Sequence, residues 1–145
     1  MIKITQIVFV FATVLMLVSC KNTKQKIQEH VITYNTSSSI KGANITSTSA
    51  KAFLNENKIE IRIETNLEET EENKLTYSES FPDLLKGMIG NDQISKDLIG
   101  EGVKFDVYFL AYNNSILAQR LIGQEELAAL TGSGDGAQKK VTAKL

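Results

Sequence analysis

The sequence predicts an α+β domain: an antiparallel sheet of four or five strands in ββ(β)αββα order, with a kinked helix packed on one face. Three observations carry this. Thr48–Leu54 and Ile59–Thr65 alternate apolar and polar residues about a central turn. Leu84, Leu85, Met88 and Ile89 recur at helical spacing. Val103–Tyr112 and Ser115–Ile122 alternate again about a second turn.

In the first hairpin, Asn55-Glu56-Asn57-Lys58 supplies the turn. With Glu56-Asn57 as a two-residue loop, Leu54 faces Ile59, Ala52 faces Ile61 and Ala50 faces Ile63. Both apolar sets then share one face, and Glu60, Arg62 and Glu64 occupy the other. The next stretch, LEETEENK (67–74), reads as an acidic connection. Its glutamates lack the alternating Asp/Asn ligands and turn glycine of a calcium loop. A short strand, Leu75 to Glu79, is expected next. Ser80-Phe81-Pro82-Asp83 reads as a helix start, with Ser80 as cap, Asp83 completing the box and Pro82 in the first turn. Gly87 and Gly90 weaken the stripe, and its phase shifts at Ile94, Leu98 and Ile99. A kink, or a restart at Asn91 or Asp92, follows from that, with Gly100 as the C-terminal cap.

The second hairpin turns at Asn113-Asn114, where asparagine tolerates positive φ. Val103, Phe105, Val107, Phe109 and Ala111 line one face, joined by Ile116, Ala118 and Ile122. The opposite face sets Tyr108, Leu110, Tyr112, Leu117 and Leu121 among Lys104, Asp106 and Gln119. It is too apolar to be simply wet. The cover is the short helix Gln124 to Leu130, the C-terminal segment or a partner, so these five residues are a candidate interaction face. Thr131 to Leu145 is Gly-rich with a basic end and reads as a flexible tail. Its Gly-Ser-Gly-Asp-Gly lacks the spacing of a phosphate-binding loop.

The chain opens with Lys3 as its only charge before the apolar run Ile7 to Val18. As a helix, those twelve residues span about 18 Å, short of the ~30 Å hydrocarbon core of a bilayer. A charged start, a short apolar stretch and small residues read as a secretory signal. Leu17-Val18-Ser19-Cys20 then resembles the lipobox of bacterial lipoproteins. The resemblance covers residues 1–20 and implies an address. Residues 1–19 would be cleaved, Cys20 would take a diacylglycerol, and its new amino terminus would be acylated. Such an anchor also explains the only cysteine of an exported chain, which can form no internal disulfide. Lys21 does not match the aspartate that the proteobacterial sorting rule associates with inner-membrane retention. KNTKQK likewise does not resemble an acidic surface-export signal. The expected location is the outer membrane, facing the periplasm.

Residues 20–39 after the anchor are polar, end in Thr-Ser-Ser-Ser and read as a flexible tether with a reach of about 25 Å. Lys21, Lys24 and Lys26 either touch anionic head groups or are simply solvated. The single domain is then 40–130, and the tail 131–145. Residues 1–19 hold one of the 16 Lys+Arg and none of the 17 Asp+Glu, so the remaining chain carries net charge −2. That balance argues against nucleic acid as a partner. One Cys and one His cannot build the usual zinc sites, and no cofactor or metal is expected.

His30, the lone histidine, falls in the expected tether, a poor place for a base that must be held beside a nucleophile. The functional reading is a non-catalytic, membrane-anchored binding or assembly module of the bacterial envelope. It would contact lipid through acylated Cys20 and an envelope protein through the second hairpin. One alternative is a small-ligand binder with a pocket around Tyr77, Met88 and Phe105. Another is a hydrolase using paired carboxylates from Glu79, Asp83 and Asp106.

Overall fold

A computed structural model describes residues 21–40 and 42–132. The signal segment, Cys20 and the tail from residue 133 lie outside the described residues. The elements run α1 (Thr23–Ser37), β1 (Ile45–Phe53), β2 (Lys58–Thr65), α2 (Glu71–Gly90), α3 (Lys96–Gly100), β3 (Lys104–Leu110), β4 (Ile116–Ile122) and α4 (Gln124–Leu130). The fold is α+β, and the four strands lie in the order β1-β2-β3-β4.

The stretch expected as a tether is a helix fastened to the sheet. Asn22 caps it, accepting from Gln25 N while its own N–H donates to the Gln25 side chain. Ile27 and Tyr34, two turns apart, are buried in the core with Val31 packed beside them. The Tyr34 hydroxyl lies 2.6 Å from Thr48 Oγ1, and burial raises its pKa. Asn35 holds both backbone groups of Ala50: its amide donates to the carbonyl (2.9 Å), and its oxygen accepts from the N–H (2.7 Å). At the other end, Thr23 and Lys26 both bond Glu101. That pairing holds the Glu101 carboxyl below the usual range, with the Lys26 bond the larger cause. Local sequence underdetermines this helix because its stabilising contacts are 14 to 78 residues away.

β1 and β2 form the first hairpin, with Ala52 opposite Ile59, Ala50 opposite Ile61 and Thr48 opposite Ile63. The expected pairing is slipped by two residues. The turn is longer than two: Leu54–Glu56 form a 3₁₀ turn, and Asn57 follows at φ 47°. A slip of two conserves the faces, so Ile59, Ile61, Ile63 and Thr65 still point inward. Buried Thr65 donates to the Leu110 carbonyl at 2.7 Å and accepts from Leu67 N.

The expected strand at 75–79 and helix start at Ser80 are both replaced by α2. Thr70 caps it, accepting from Asn73 N at 3.0 Å, and Glu71 and Glu72 sit favourably at its positive end. Pro82 is therefore interior, and Ser80 bonds the Thr76 carbonyl within the helix. Phe81, Leu85, Met88 and Ile89 face the core. The restart is at Ser95, whose hydroxyl caps α3 through Leu98 N. Asp92 lies at φ 58° in the left-handed region, unlike a helix cap in extended backbone. Gly100 is the last helical residue, and the left-handed turn after α3 falls on Gly102 at φ 92°.

The two helices return the chain to the end where β2 began. β3 therefore pairs parallel with β2, from Lys58 opposite Lys104 to Glu64 opposite Leu110, and the sheet is mixed rather than wholly antiparallel. The second hairpin keeps the expected register from Phe105/Ile122 to Phe109/Ala118. It closes through three residues: Asn114 N bonds Ala111 O, Asn114 has φ 66°, and Ala111 N bonds Ser115 O. An irregularity at Phe109/Leu110 leaves Ile116 paired with Leu110 and 47% exposed, so it does not join the inward face. α4 touches β4, α2 and α3 and buries Leu130 in the common core, so it joins the helix layer. No described helix is long and apolar enough to cross a membrane.

Candidate functional site

Three segments meet beside the far end of the sheet: the Gly42–Ile45 turn into β1, the middle of α2 and the end of β3. Between them lies a cleft of about 290 Å³, lined chiefly by Ile45, Tyr77, Phe81, Leu84 and Phe109. Tyr77 stacks on Phe109 with centroids 5.1 Å apart and 27° between planes, and Phe81 tilts against Phe109 at 6.2 Å. Asn44 Nδ2 donates to the Tyr77 hydroxyl at 3.2 Å. The tyrosine proton thus remains available to an acceptor in the cleft. A Cβ on Gly42 would meet Ile45 Cδ1 at 2.9 Å, so a side chain at residue 42 would have to displace the Ile45 side chain that lines the cleft.

Tyr77 lies in this cleft, but the other two expected pocket residues do not. Met88 and Phe105 are core side chains at 1% and 0% exposure. Met88 borders a separate depression with Ile40, Asp83 and Gln93, and the Phe105 ring is met edge-on by His30 at 5.4 Å. The sequence reading missed Asn44, Ile45, Phe81, Leu84 and Phe109. A helix begun at Thr70 would have aligned Tyr77, Phe81 and Leu84 at i, i+4, i+7, which was the available signal.

The expected interaction face divides. Leu110 and Leu117 are buried, at 1% and 4%, whereas Tyr112 (67%) and Leu121 (48%) are exposed. Half-buried Tyr108 donates to Asp106 at 3.0 Å, and its pKa is raised, by burial first and then by that carboxylate. Gln119 bonds the other Asp106 oxygen at 2.9 Å. Cross-strand register sets Lys51, Glu60, Asp106 and Leu121 in one row, with Ser49, Arg62, Tyr108 and Gln119 in the next.

Glu79, Asp83 and Asp106 are not brought together. The first two are exposed on α2, and Asp106 sits in a polar row on the sheet face opposite the inward isoleucines. His30 is held on α1, with Nε2 3.0 Å from the Gln93 carbonyl, to which it donates. It lines a wide polar groove of about 840 Å³ between α1 and residues 91–101. Among the described residues no group of three or more His, Cys, Asp or Glu could hold a metal ion. No family model, no curated protein and no solved structure matches this chain.

Proposed function

We propose that the protein is a lipid-anchored, non-catalytic binding protein of the bacterial envelope that holds a small ligand in the cleft beside Tyr77. The observation that carries this reading is the cleft itself: aromatic and aliphatic walls with one phenolic donor at the rim. Ligand sites characteristically combine apolar walls with a few placed polar groups, at volumes from about 300 Å³ upward. The ligand would have a compact apolar body and one hydrogen-bond acceptor for Tyr77. Anchorage rests on the Leu17–Cys20 lipobox. The burial of Leu110 and Leu117 removes the centre of the alternative protein-docking face and favours ligand over partner.

The test uses protein purified from membranes in detergent, with the apolar fluorophore N-phenyl-1-naphthylamine as probe. Saturable 1:1 binding is expected, weakened at least tenfold by Leu84→Lys, at a half-buried position packed against the core, in a variant shown by circular dichroism to remain folded. Equal binding by wild type and variant would sink the cleft assignment. Separately, Cys20→Ala should move the protein out of the membrane fraction and remove the acyl mass; an unaltered distribution would overturn the anchor.

A further inference from the structure

The walls of the Tyr77 cleft are uncharged. Among the described residues lining it there is no Asp, Glu, Lys, Arg or His, and the polar side chains are those of Asn44, Tyr77 and Ser80. An ion entering it would leave water without meeting a countercharge. Ser80 directs its proton back to the Thr76 carbonyl, 3.1 Å away in α2. Asn44 is held by its backbone carbonyl, which accepts from Asn66 N, just past β2, at 3.0 Å. From there its amide donates to the Tyr77 hydroxyl. Stacking on Phe109 fixes the ring that carries this hydroxyl. A phenolic hydroxyl both donates and accepts. With the Asn44 amide on the oxygen, the proton is what Tyr77 offers to the cleft.

We infer that Asn44 sets the chemical class of the ligand: by making Tyr77 a donor, it selects an uncharged carbonyl compound (a ketone, aldehyde or ester on a single ring) over a carboxylate or a hydrocarbon of the same shape. This rests on the cleft being the ligand site and adds the ligand's class and the residue that determines it. A carbonyl oxygen accepts the Tyr77 proton and brings no hydrogen of its own that needs a partner. A hydrocarbon of equal size leaves that proton unpaired between apolar walls, with its full desolvation penalty. A carboxylate accepts equally well but gives up its hydration where the walls hold no cation. At about 290 Å³, the volume admits one ring and a short substituent.

The experiment uses the full chain, purified from membranes in detergent, with acetophenone, α-methylstyrene and benzoate. These are planar and nearly isosteric, and carry a carbonyl, a vinylidene and a carboxylate at the same position. Dissociation constants come from calorimetry against a detergent-matched blank. Wild type should bind acetophenone at least tenfold more tightly than benzoate at neutral pH. The affinity ratio of acetophenone to α-methylstyrene should fall at least fivefold in Tyr77→Phe, which has no proton to give. It should fall as far in Asn44→Asp, whose carboxylate takes the Tyr77 proton and leaves the ligand facing an oxygen lone pair. Taking the ratio within each variant cancels the cost of removing each compound from water, and α-methylstyrene binding reports that the cleft is intact. An unchanged ratio in either variant, benzoate binding as tight as acetophenone, or loss of both neutral ligands in Asn44→Asp would each overturn the inference and leave the cleft standing. Absence of binding by both neutral ligands in wild type, or equal binding in Leu84→Lys, would instead sink the cleft assignment and this inference with it.

Discussion

Replacing Asn35 by alanine tests why residues 23–37 are a helix on the sheet and not a tether. The substitution removes two hydrogen bonds, of 2.9 and 2.7 Å, and leaves the backbone of buried Ala50 without those partners. Two bonds at about 1 kcal/mol each, plus about 1 kcal/mol for groups that edge water re-solvates incompletely, give about 3 kcal/mol. Alanine is a better helix former than asparagine by about 0.6 kcal/mol, which offsets part of this. The expected loss is about 2–2.5 kcal/mol, or a fall in Tm of about 10–15 °C for a domain of this size. Urea denaturation measures it, with exposed Thr33→Ala on the same helix as control. Hydrogen exchange at the Ala50 amide should accelerate in the variant. A loss under about 0.5 kcal/mol, or unchanged exchange, would refute the claim that Asn35 fastens α1 to β1 at Ala50.

Other perturbations separate the elements. Leu110→Ala and Leu117→Ala should each cost about 2–5 kcal/mol by urea denaturation, because both side chains are buried. An effect below about 1 kcal/mol would show that the sheet's second face is open there. Gly102→Ala, at φ 92°, should destabilise by about 1–2 kcal/mol, whereas Gly100→Ala, helical and with open space at its Cβ, should be neutral or slightly stabilising. The reverse order would place the turn after α3 on the wrong glycine. The Glu101 carboxyl is held low by Lys26 and Thr23, so its folded pKa lies below its unfolded one. Its contribution is therefore present above the ordinary glutamate range and lost as pH falls through the folded value. The stability gap between wild type and Glu101→Gln should close on acidification; a gap that widens would contradict the pairing.

What the sequence made legible were elements whose periodicity is local. The alternation of Ile59, Ile61, Ile63 and Thr65, the turn at Asn113-Asn114 and the short helix at Gln124–Leu130 all appear in the structure. The first hairpin's faces were correct even though its register slipped, because period-2 patterning cannot distinguish pairings that differ by two. α1 was illegible as a packed helix because its surface is polar and its fastening to Thr48, Ala50 and Glu101 is tertiary. Even so, Asn22-x-x-Gln25 and the Ile27–Tyr34 spacing were there to read. Pro82 misdirected the start of α2: proline suits a first turn, but here the core contacts of Phe81 and Leu85 on either side hold it inside a 20-residue helix. The parallel pairing of β2 with β3 is a property of the crossover and is not written in either strand. The cleft draws on three segments more than 20 residues apart, so no single window contained it.

The position of α1 also changes what the proposed anchor can do. Only Lys21 and Asn22 separate Cys20 from the first helical residue, so the chain between lipid and fold reaches about 7–10 Å, not the 25 Å of a free tether. Glu101 pins the helix start next to the beginning of β3. The cleft residues Ile45 and Phe109 lie at the other end of the strands, about 17 Å away along β3. A lipid on Cys20 would therefore seat the α3–β3 end of the domain against the bilayer and turn the Tyr77 cleft toward the aqueous side. Ligand would then arrive from solution rather than by lateral diffusion in the membrane. Inserting a flexible Gly/Ser segment between Cys20 and Lys21 should accordingly leave cleft occupancy unchanged in intact cells. A domain that drew its ligand directly from the bilayer would lose occupancy as the segment lengthened.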